Sequence, residues 1–155
     1  MSYPELLDKI KRYCMMEERC RKNVYKKLLD YGMEKEKINS VIIKLMKDDF
    51  INEKRFAYFY SRGKFLINQW GKRKIEFELK KKRIHNSDIN QALEEIDQDD
   101  YNSVLLSLLK KKNEKIKKIP KSKKKQKLIN YFLSKGFELD LIWKNIIKLE
   151  KENLI

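Results

Sequence analysis

Residues that interrupt helices are scarce in this sequence: its 155 residues include four Gly and two Pro. Lys, Leu, Ile and Glu are abundant instead. Scarce helix breakers combined with many helix formers are typical of an all-α chain. The length allows one domain, or a few small units that share a continuous core.

Long apolar runs are also missing. None is long enough to cross the hydrocarbon core of a bilayer. The first residues, MSYPELLDKIKR, contain no apolar core of the kind found in secretory signals. We therefore expect no membrane partner and a cytoplasmic location.

Residues that could bind a metal or form a disulfide are few. The two cysteines, Cys14 and Cys20, are six positions apart, which on one helix separates them by about 240° around the axis. His85 is the single histidine. We expect both thiols to be reduced and small apolar in character, and we expect no metal site and no cofactor.

Catalytic motifs are not recognisable. The glycines are isolated, so no Gly-rich phosphate loop can form. His85 has no Cys or Ser partner in a known nucleophile motif. We expect a protein that is not an enzyme.

Positive charge is the strongest compositional signal, with a formal net charge of +15. Residues 1–51 carry +3, residues 52–97 carry +4 and residues 98–155 carry +8. Such a chain favours polyanionic partners, either nucleic acid or an acidic groove on another protein. Isolated lysines are equally compatible with a solvated surface that binds nothing.

An internal repeat organises the chain. The segment that starts at Val24 matches the one that starts at Ile75, and both match the one that starts at Leu128, without gaps. Apolar residues recur in register at six positions of the segment. These triplets are Val24, Ile75 and Leu128; Leu28, Leu79 and Phe132; Met33, Ile84 and Phe137; Ile38, Ile89 and Ile142; Ile42, Leu93 and Ile146; Leu45, Ile96 and Leu149.

Each repeat predicts two helices joined by a tight turn, preceded by a further helix at residues 6–16, 56–67 and 101–109. We therefore predict three tandem three-helix repeats, residues 1–51, 52–97 and 98–155, in a curved, elongated, solenoid-like molecule. The third repeat contains eleven lysines and one acid between Lys110 and Lys127. We predict a Lys-rich loop over about residues 110–127, with a frayed helix end as the alternative.

The turn between the paired helices has glycine in two repeats. Gly32 and Gly136 occupy the position just past a helix end, where a left-handed residue is favoured. Arg83 stands there in the second repeat, so its cap must differ or be strained. At the first junction, DDFINEKRF, Asn52 is the predicted N-cap of the next helix.

Three stretches of the sequence resemble a known protein family. The most specific is DDFINEKRFAYFYSRGK, residues 48–64, which resembles a joint that leads into an aromatic helix. WGKRKIEFELKKKRI, residues 70–84, and KLINYFLSKGFELDLIWKNI, residues 127–146, follow in the same order as in that family. The family is that of the RecX regulators of bacterial recombination, and the resemblance covers essentially the whole chain.

The resemblance implies a modulator without catalytic residues. Family members lie along the helical groove of the RecA–DNA filament and depress its ATP hydrolysis and strand exchange. A basic, concave surface is their working feature. A monomer that binds RecA and nonspecific single- or double-stranded DNA is expected.

Nine basic residues are the predicted contacts to RecA or DNA. Those at the start of the helix after Gly71 oppose its dipole, a cost that a bound phosphate or carboxylate would relieve. Arginines can hold such groups in bidentate fashion, and the lysines before the third repeat suit nonspecific phosphate contact. The nine are Arg55, Arg62, Lys64, Lys72, Arg73, Lys74, Lys123, Lys124 and Lys125. Among the nearby aromatic residues, Tyr58, Phe59, Phe65 and Trp70 are expected in the core.

Two other functions are compatible with the charge. One is a freestanding nucleic-acid-binding module, and the other is a helical scaffold for an unrelated acidic partner. No recognition helix for base-specific contacts is apparent. Binding to DNA with and without RecA would separate the three.

Overall fold

The structure, a computed structural model, describes all residues from Met1 to Ile155. It contains nine α-helices and no strand, which confirms the predicted all-α class. The helices are α1 (Tyr3–Met16), α2 (Arg21–Asp30), α3 (Lys35–Lys47), α4 (Glu53–Leu66), α5 (Lys72–Lys81), α6 (Asn86–Glu94), α7 (Gln98–Lys115), α8 (Lys121–Ser134) and α9 (Leu139–Lys151).

The in-register apolar residues of the repeat form the cores. All eighteen are buried, with exposed fractions of 8% or less. Burial at equivalent positions explains why apolar character recurs while the side chains diverge: each position needs an apolar group of suitable volume, not one particular residue.

Helix starts follow local capping chemistry. The Oδ1 of Asn52 accepts the N–H of Arg55 at 3.0 Å, which confirms Asn52 as the cap of α4. The carboxylate of Asp97 accepts the N–H of Asp100 at 2.9 Å at the start of α7. Both bonds satisfy N–H groups that the helix itself leaves without partners.

The three turns between paired helices share one geometry. Gly32 and Gly136 have φ angles of 90° and 97°, and Arg83 has a φ of 60°. In each turn the following residue donates its N–H to a carbonyl five residues back; for example, Ile84 donates to Leu79 at 3.2 Å. Arg83 therefore keeps the glycine-type cap and holds a left-handed conformation that is unfavourable for a residue with a Cβ.

The predicted loop over about residues 110–127 is wrong. Residues up to Lys115 continue α7, and α8 begins at Lys121. Pro120 lies at the N-cap of α8, where its missing N–H costs no helical hydrogen bond. Lysine has good helix propensity, so a lysine-rich segment that also carries a few buried apolar residues forms helix rather than coil.

The chain packs as two compact units. Unit 1 comprises residues 1–60 and 79–92, and unit 2 comprises residues 61–78 and 93–155. The three-repeat boundaries at residues 51 and 97 stay a prediction, because the two units divide the second segment between them.

Unit 1 has a core built from α1, α2 and α3. Ile10, Val24, Leu28 and Ile38 are fully buried in it, and Ile51 closes the cluster at its end. Unit 2 is centred on Tyr101, which is fully buried. The ring of Tyr101 lies 5.5 Å from that of Phe65 and 5.4 Å from that of Phe137, measured between centroids.

One aromatic expectation is wrong and one is confirmed. Phe65 lies in the core, but the side chain of Phe59 is 55% exposed. Phe59 follows Tyr58 on α4, and their rings make an edge-to-face contact at 5.1 Å. Only one side of a helix faces a core, so aromatic residues that are spread around α4 cannot all be buried.

Candidate functional site

Arg55 is held by acidic residues of unit 1. Its guanidinium pairs with Glu18, and also with the carboxylate of Asp49 at 2.9 Å. The hydrogen bond from Arg55 lowers the pKa of Asp49, and the bond to Glu18 raises the pKa of Arg55. These contacts tie the acidic junction before α4 to the end of α1, so a structural role accounts for Arg55 without a ligand.

Lys64 and Lys74 flank the indole of Trp70 in unit 2. Their ammonium nitrogens lie 4.8 Å and 4.5 Å from the ring centroid. Trp70 is half-buried, so the ring orders both cations while leaving each accessible to solvent. Arg62 lies exposed on α4 of the same unit.

The backbone at the start of α5 is already occupied. Gly71 and Arg73 donate their N–H groups to the carbonyls of Lys135 and Gly136, at 2.8 Å and 2.9 Å. The N–H of Lys72 donates to the hydroxyl of Tyr101 at 2.9 Å. An anion at this end would therefore meet the side chains of Lys72, Arg73 and Lys74 rather than the N–H groups of Gly71, Lys72 and Arg73.

Tyr101 connects that helix end to a carboxylate. Its hydroxyl donates to Glu138 at 2.5 Å while accepting from Lys72. Burial, followed by the bond to Glu138, raises the pKa of Tyr101, so the phenol stays protonated and keeps donating. Glu138 thereby supplies negative charge that complements the dipole of α5.

A lysine pocket that the sequence reasoning missed lies between α7 and α8. We define it by Lys111, Lys112, Lys115, Lys135, Tyr131 and Gln69; Leu108 and Phe132 complete its lining. Its volume is about 290 Å³, and no carboxylate lines it. The ammonium of Lys112 lies 4.1 Å from the ring centroid of Tyr131.

The signal for this pocket was present in the sequence. Lys111 and Lys115 are four residues apart, which places them on one face of a helix. Treating residues 110–127 as a loop removed that periodicity. Lys135, at the end of α8, is brought in by tertiary packing, which spacing alone does not reveal.

The lysines at the start of α8 are placed differently. Lys123 and Lys125 are exposed and Lys124 is half-buried. Lys125 pairs with Glu150 of α9 at 2.8 Å. None of the three lines the lysine pocket. The binding roles of the nine predicted residues stay predictions.

No group of three or more His, Cys, Asp or Glu side chains is arranged to hold a metal ion. No helix is both long and apolar enough to cross a membrane. Cys14 and Cys20 are buried and not in a disulfide.

The fold and these basic patches define an all-helical, lysine-rich protein of three-helix domains. The family model for the second three-helix domain of RecX matches residues 52–93, and the model for the third matches residues 99–146. Together they match more than half of the chain, which belongs to the RecX family. The resemblance found in the sequence is thus confirmed.

Individual relatives agree with this assignment. The chain is 32% identical over 115 residues to Regulatory protein RecX of Bacillus cytotoxicus, covering 74% of this chain and 43% of that protein. For the Clostridioides difficile protein of the same name, identity is 33% over 112 residues, with coverages of 72% and 53%. The matches therefore span about half the length of these relatives.

A solved structure has the same fold. The crystal structure of RecX from Lactobacillus salivarius aligns with a TM-score of 0.83 and 26% identity, covering 95% of this chain and 96% of that one. A second crystal structure of a regulatory protein RecX aligns with a TM-score of 0.82 at 22% identity, over 89% of this chain and 68% of that one.

Proposed function

We propose that this protein regulates homologous recombination by binding the RecA–DNA filament and depressing RecA ATP hydrolysis and strand exchange. RecX family membership supplies the partner. The lysine pocket is the observation that supports this contact, because four lysines and no carboxylate line its concave space. RecA and DNA are cytoplasmic, which is the reason for expecting this compartment, and a monomer is the form we expect to bind.

Phosphate fits the chemistry of this pocket. Like charges around one cavity repel one another, and an anion placed among them relieves the repulsion. Lysine ammoniums bind phosphate as compact charges without demanding one geometry, which suits a backbone read without sequence preference. Tyr131 offers a partly exposed ring on which a base or sugar can pack.

Inhibition requires preference for one filament state. A ligand shifts an equilibrium only by its differential affinity for the two states. Our proposal is that basic contacts to DNA phosphates and to RecA favour a filament arrangement that hydrolyses ATP slowly. Lys72, Arg73 and Lys74 are the proposed second contact, since their side chains can bind anions while the backbone N–H groups of Lys72 and Arg73 remain engaged.

A freestanding nucleic-acid-binding module is the second candidate. It is favoured by the same pocket, because lysines and a tyrosine suffice to bind DNA without RecA. If about five phosphates are contacted, log Kobs should fall against log salt with a slope near −4 or −5. Each lysine whose removal loses a phosphate contact should make that slope less negative by about 1.

The test is a titration of RecA ATP hydrolysis on single-stranded DNA at fixed moderate salt. The wild-type chain is compared with a pocket variant, K111A/K112A/K115A/K135A, and with K72A/R73A/K74A. The charge-matched control changes four exposed lysines of unit 1: Lys26, Lys35, Lys44 and Lys47.

Inhibition at well below one copy per RecA, weakened by the pocket or trio changes but not by the control, supports the proposal. Unchanged hydrolysis alongside ordinary DNA binding in a parallel shift assay rejects the regulator and leaves the nucleic-acid binder. Equal weakening by the control would show that total charge, not the pocket, is responsible.

A further inference from the structure

A second concave surface lies in unit 1. We call it the α2–α3 groove. Its floor is formed by Tyr25, Ile42, Ile43 and Met46, and its volume is about 600 Å³. Arg21, Lys22, Lys82 and Arg83 form its basic rim.

The floor exposes aliphatic surface. Ile43 is 65% exposed and Met46 is 41% exposed, although both lie on α3 beside the buried Ile42 and Leu45. Covering such side chains removes apolar area from water, which is the main favourable term in protein association. Methionine adapts its shape to different apolar partners, so Met46 suits a surface that accepts a side chain from outside.

The rim carries an excess of positive charge. Arg21 is neutralised by Glu53, which accepts both its Nε–H at 2.9 Å and its backbone N–H at 3.0 Å. Glu53 is the one carboxylate in the groove, so Lys22, Lys82 and Arg83 leave a net charge of +3 there. Lys22 is held in place by a bond from its ammonium to the carbonyl of Lys81 at 3.0 Å.

Arg83 combines rim charge with backbone strain. The equivalent residues of the other two turns are Gly32 and Gly136, for which a positive φ is unstrained. Arg83 takes the same turn with a φ of 60°, at a conformational cost that glycine would avoid. The turn itself needs no side chain at this position. The fold therefore does not explain why an arginine places its guanidinium at the groove.

We propose that the α2–α3 groove binds a short acidic peptide segment of a protein partner, with aliphatic side chains on the floor and Asp or Glu side chains on the rim. Charge complementarity fixes the sign of the partner. The aliphatic floor favours a peptide over nucleic acid, because bases stack on aromatic faces and the single aromatic ring here, Tyr25, is half-buried. None of the residues that line this groove lines the lysine pocket of unit 2.

Methyl NMR on the 155-residue chain tests the proposal at the residues concerned. The protein is labelled at Ile and Met methyl groups and titrated with a 12-residue peptide of Leu and Glu in helical amphipathic order. The basic counterpart has Lys at every Glu position. Ile43 and Met46 report on the groove, and Ile147, an exposed residue of α9 outside it, is the internal reference.

The expected result is a saturable shift of the Ile43 and Met46 methyls by the acidic peptide, with Ile147 and the basic peptide giving none. Arg83→Gly should weaken binding by about threefold to tenfold, since it removes one charged contact of roughly 1 kcal/mol. Lys26→Ala, an exposed lysine on α2 outside the groove lining, is the charge-matched control and should change affinity by less than about twofold.

Arg83→Gly also removes strain, so a loss of binding cannot be attributed to unfolding if its melting temperature is unchanged or higher. Three outcomes overturn the proposal: no saturable shift at millimolar peptide, equal shifts with the basic peptide, or equal weakening by Arg83→Gly and Lys26→Ala. A larger shift of Ile43 and Met46 with a 12-nucleotide single strand would overturn it in favour of nucleic acid.

Discussion

Gly71 and Gly136 meet backbone to backbone inside unit 2. A Cβ on Gly71 would lie 2.3 Å from the carbonyl carbon of Gly136. A Cβ on Gly136 would lie 2.4 Å from the Cβ of Lys74. Two backbone hydrogen bonds, Gly71 to Lys135 and Arg73 to Gly136, cross the same gap. This contact joins the start of α5 to the end of α8 and thereby positions the basic side chains of both helices.

Gly71→Ala should therefore destabilise the protein strongly. The added methyl overlaps backbone atoms that cannot rotate away, so the helix ends must separate and both hydrogen bonds weaken. We expect a loss of about 2–4 kcal/mol in the free energy of unfolding, measured by urea denaturation.

The matched control is Gly63→Ala on α4, where a Cβ meets nothing within 4 Å. That change should stabilise the helix by about 0.5–1 kcal/mol. Similar effects of the two changes would contradict the packing described.

Removing the hydroxyl of Tyr101 tests the link between Glu138 and α5. Tyr101→Phe leaves the carboxylate of Glu138 and the N–H of Lys72 without this partner, which should cost about 1–3 kcal/mol of unfolding free energy. Tyr3→Phe is the control, since Tyr3 is 46% exposed, and it should cost less than about 0.5 kcal/mol. A double-mutant cycle with Glu138→Ala should give a coupling energy of at least about 1 kcal/mol.

The same bond has a defined pH dependence. The pKa of Tyr101 is raised in the folded protein by burial first and by Glu138 second. Its contribution to stability is therefore fully present below the unfolded-state value of about 10 and is lost as pH rises above it. The stability advantage of wild type over Tyr101→Phe should shrink between pH 9.5 and 11, roughly across that titration. An advantage that grows over this range would show that the phenol ionises more easily in the fold.

Local periodicity made the helices and their buried faces predictable. Val24, Ile75 and Leu128 lie in register in the sequence and are all buried, because each helix can hide only one stripe of side chains. The lysine pocket was not predictable in the same way. It needs Lys135, just after α8, beside Lys112 of α7. The packing of those helices depends on contacts between residues distant in sequence, such as Lys112 with Tyr131.

Charge gave a less specific prediction than burial. Clustering of basic residues in the sequence singled out Arg55 and Arg73 alike. In the structure Arg55 pairs with Glu18 and Asp49, whereas the side chain of Arg73 is exposed. An ion pair between α4 and the end of α1 depends on tertiary structure, so sequence clustering cannot separate structural arginines from available ones. The roles of the nine predicted residues in binding stay predictions.

Arg83→Gly should stabilise the fold. Arg83 holds a φ of 60° in a turn that Gly32 makes in the first repeat with the same pair of backbone hydrogen bonds. Glycine removes the Cβ strain but increases the entropy of the unfolded chain, so the net gain should be about 0.5–1 kcal/mol. Arg83→Ala retains the strain and is the control, with a change expected below about 0.5 kcal/mol. Equal effects of the two substitutions in urea denaturation would contradict strain at this turn.

Cys14 and Cys20 should resist modification while the protein is folded. Both are buried, and burial raises the pKa of the Cys14 thiol to about 11 and that of Cys20 above its ordinary value. The thiolate is the reactive form, so at pH 8 little of it is present and reagent access is also blocked.

With Ellman's reagent we expect slow reaction of both thiols at pH 8 in the folded protein, and full reaction of both in denaturing urea. Ser107→Cys on the exposed face of α7 supplies a control thiol that should react at least about tenfold faster than Cys14. Two pKa units lower the thiolate fraction about a hundredfold, and the greater nucleophilicity of the more basic thiolate offsets only part of that. Rapid labelling of Cys14 or Cys20 in the native protein would instead show that α1 and the start of α2 open readily, contrary to the burial described.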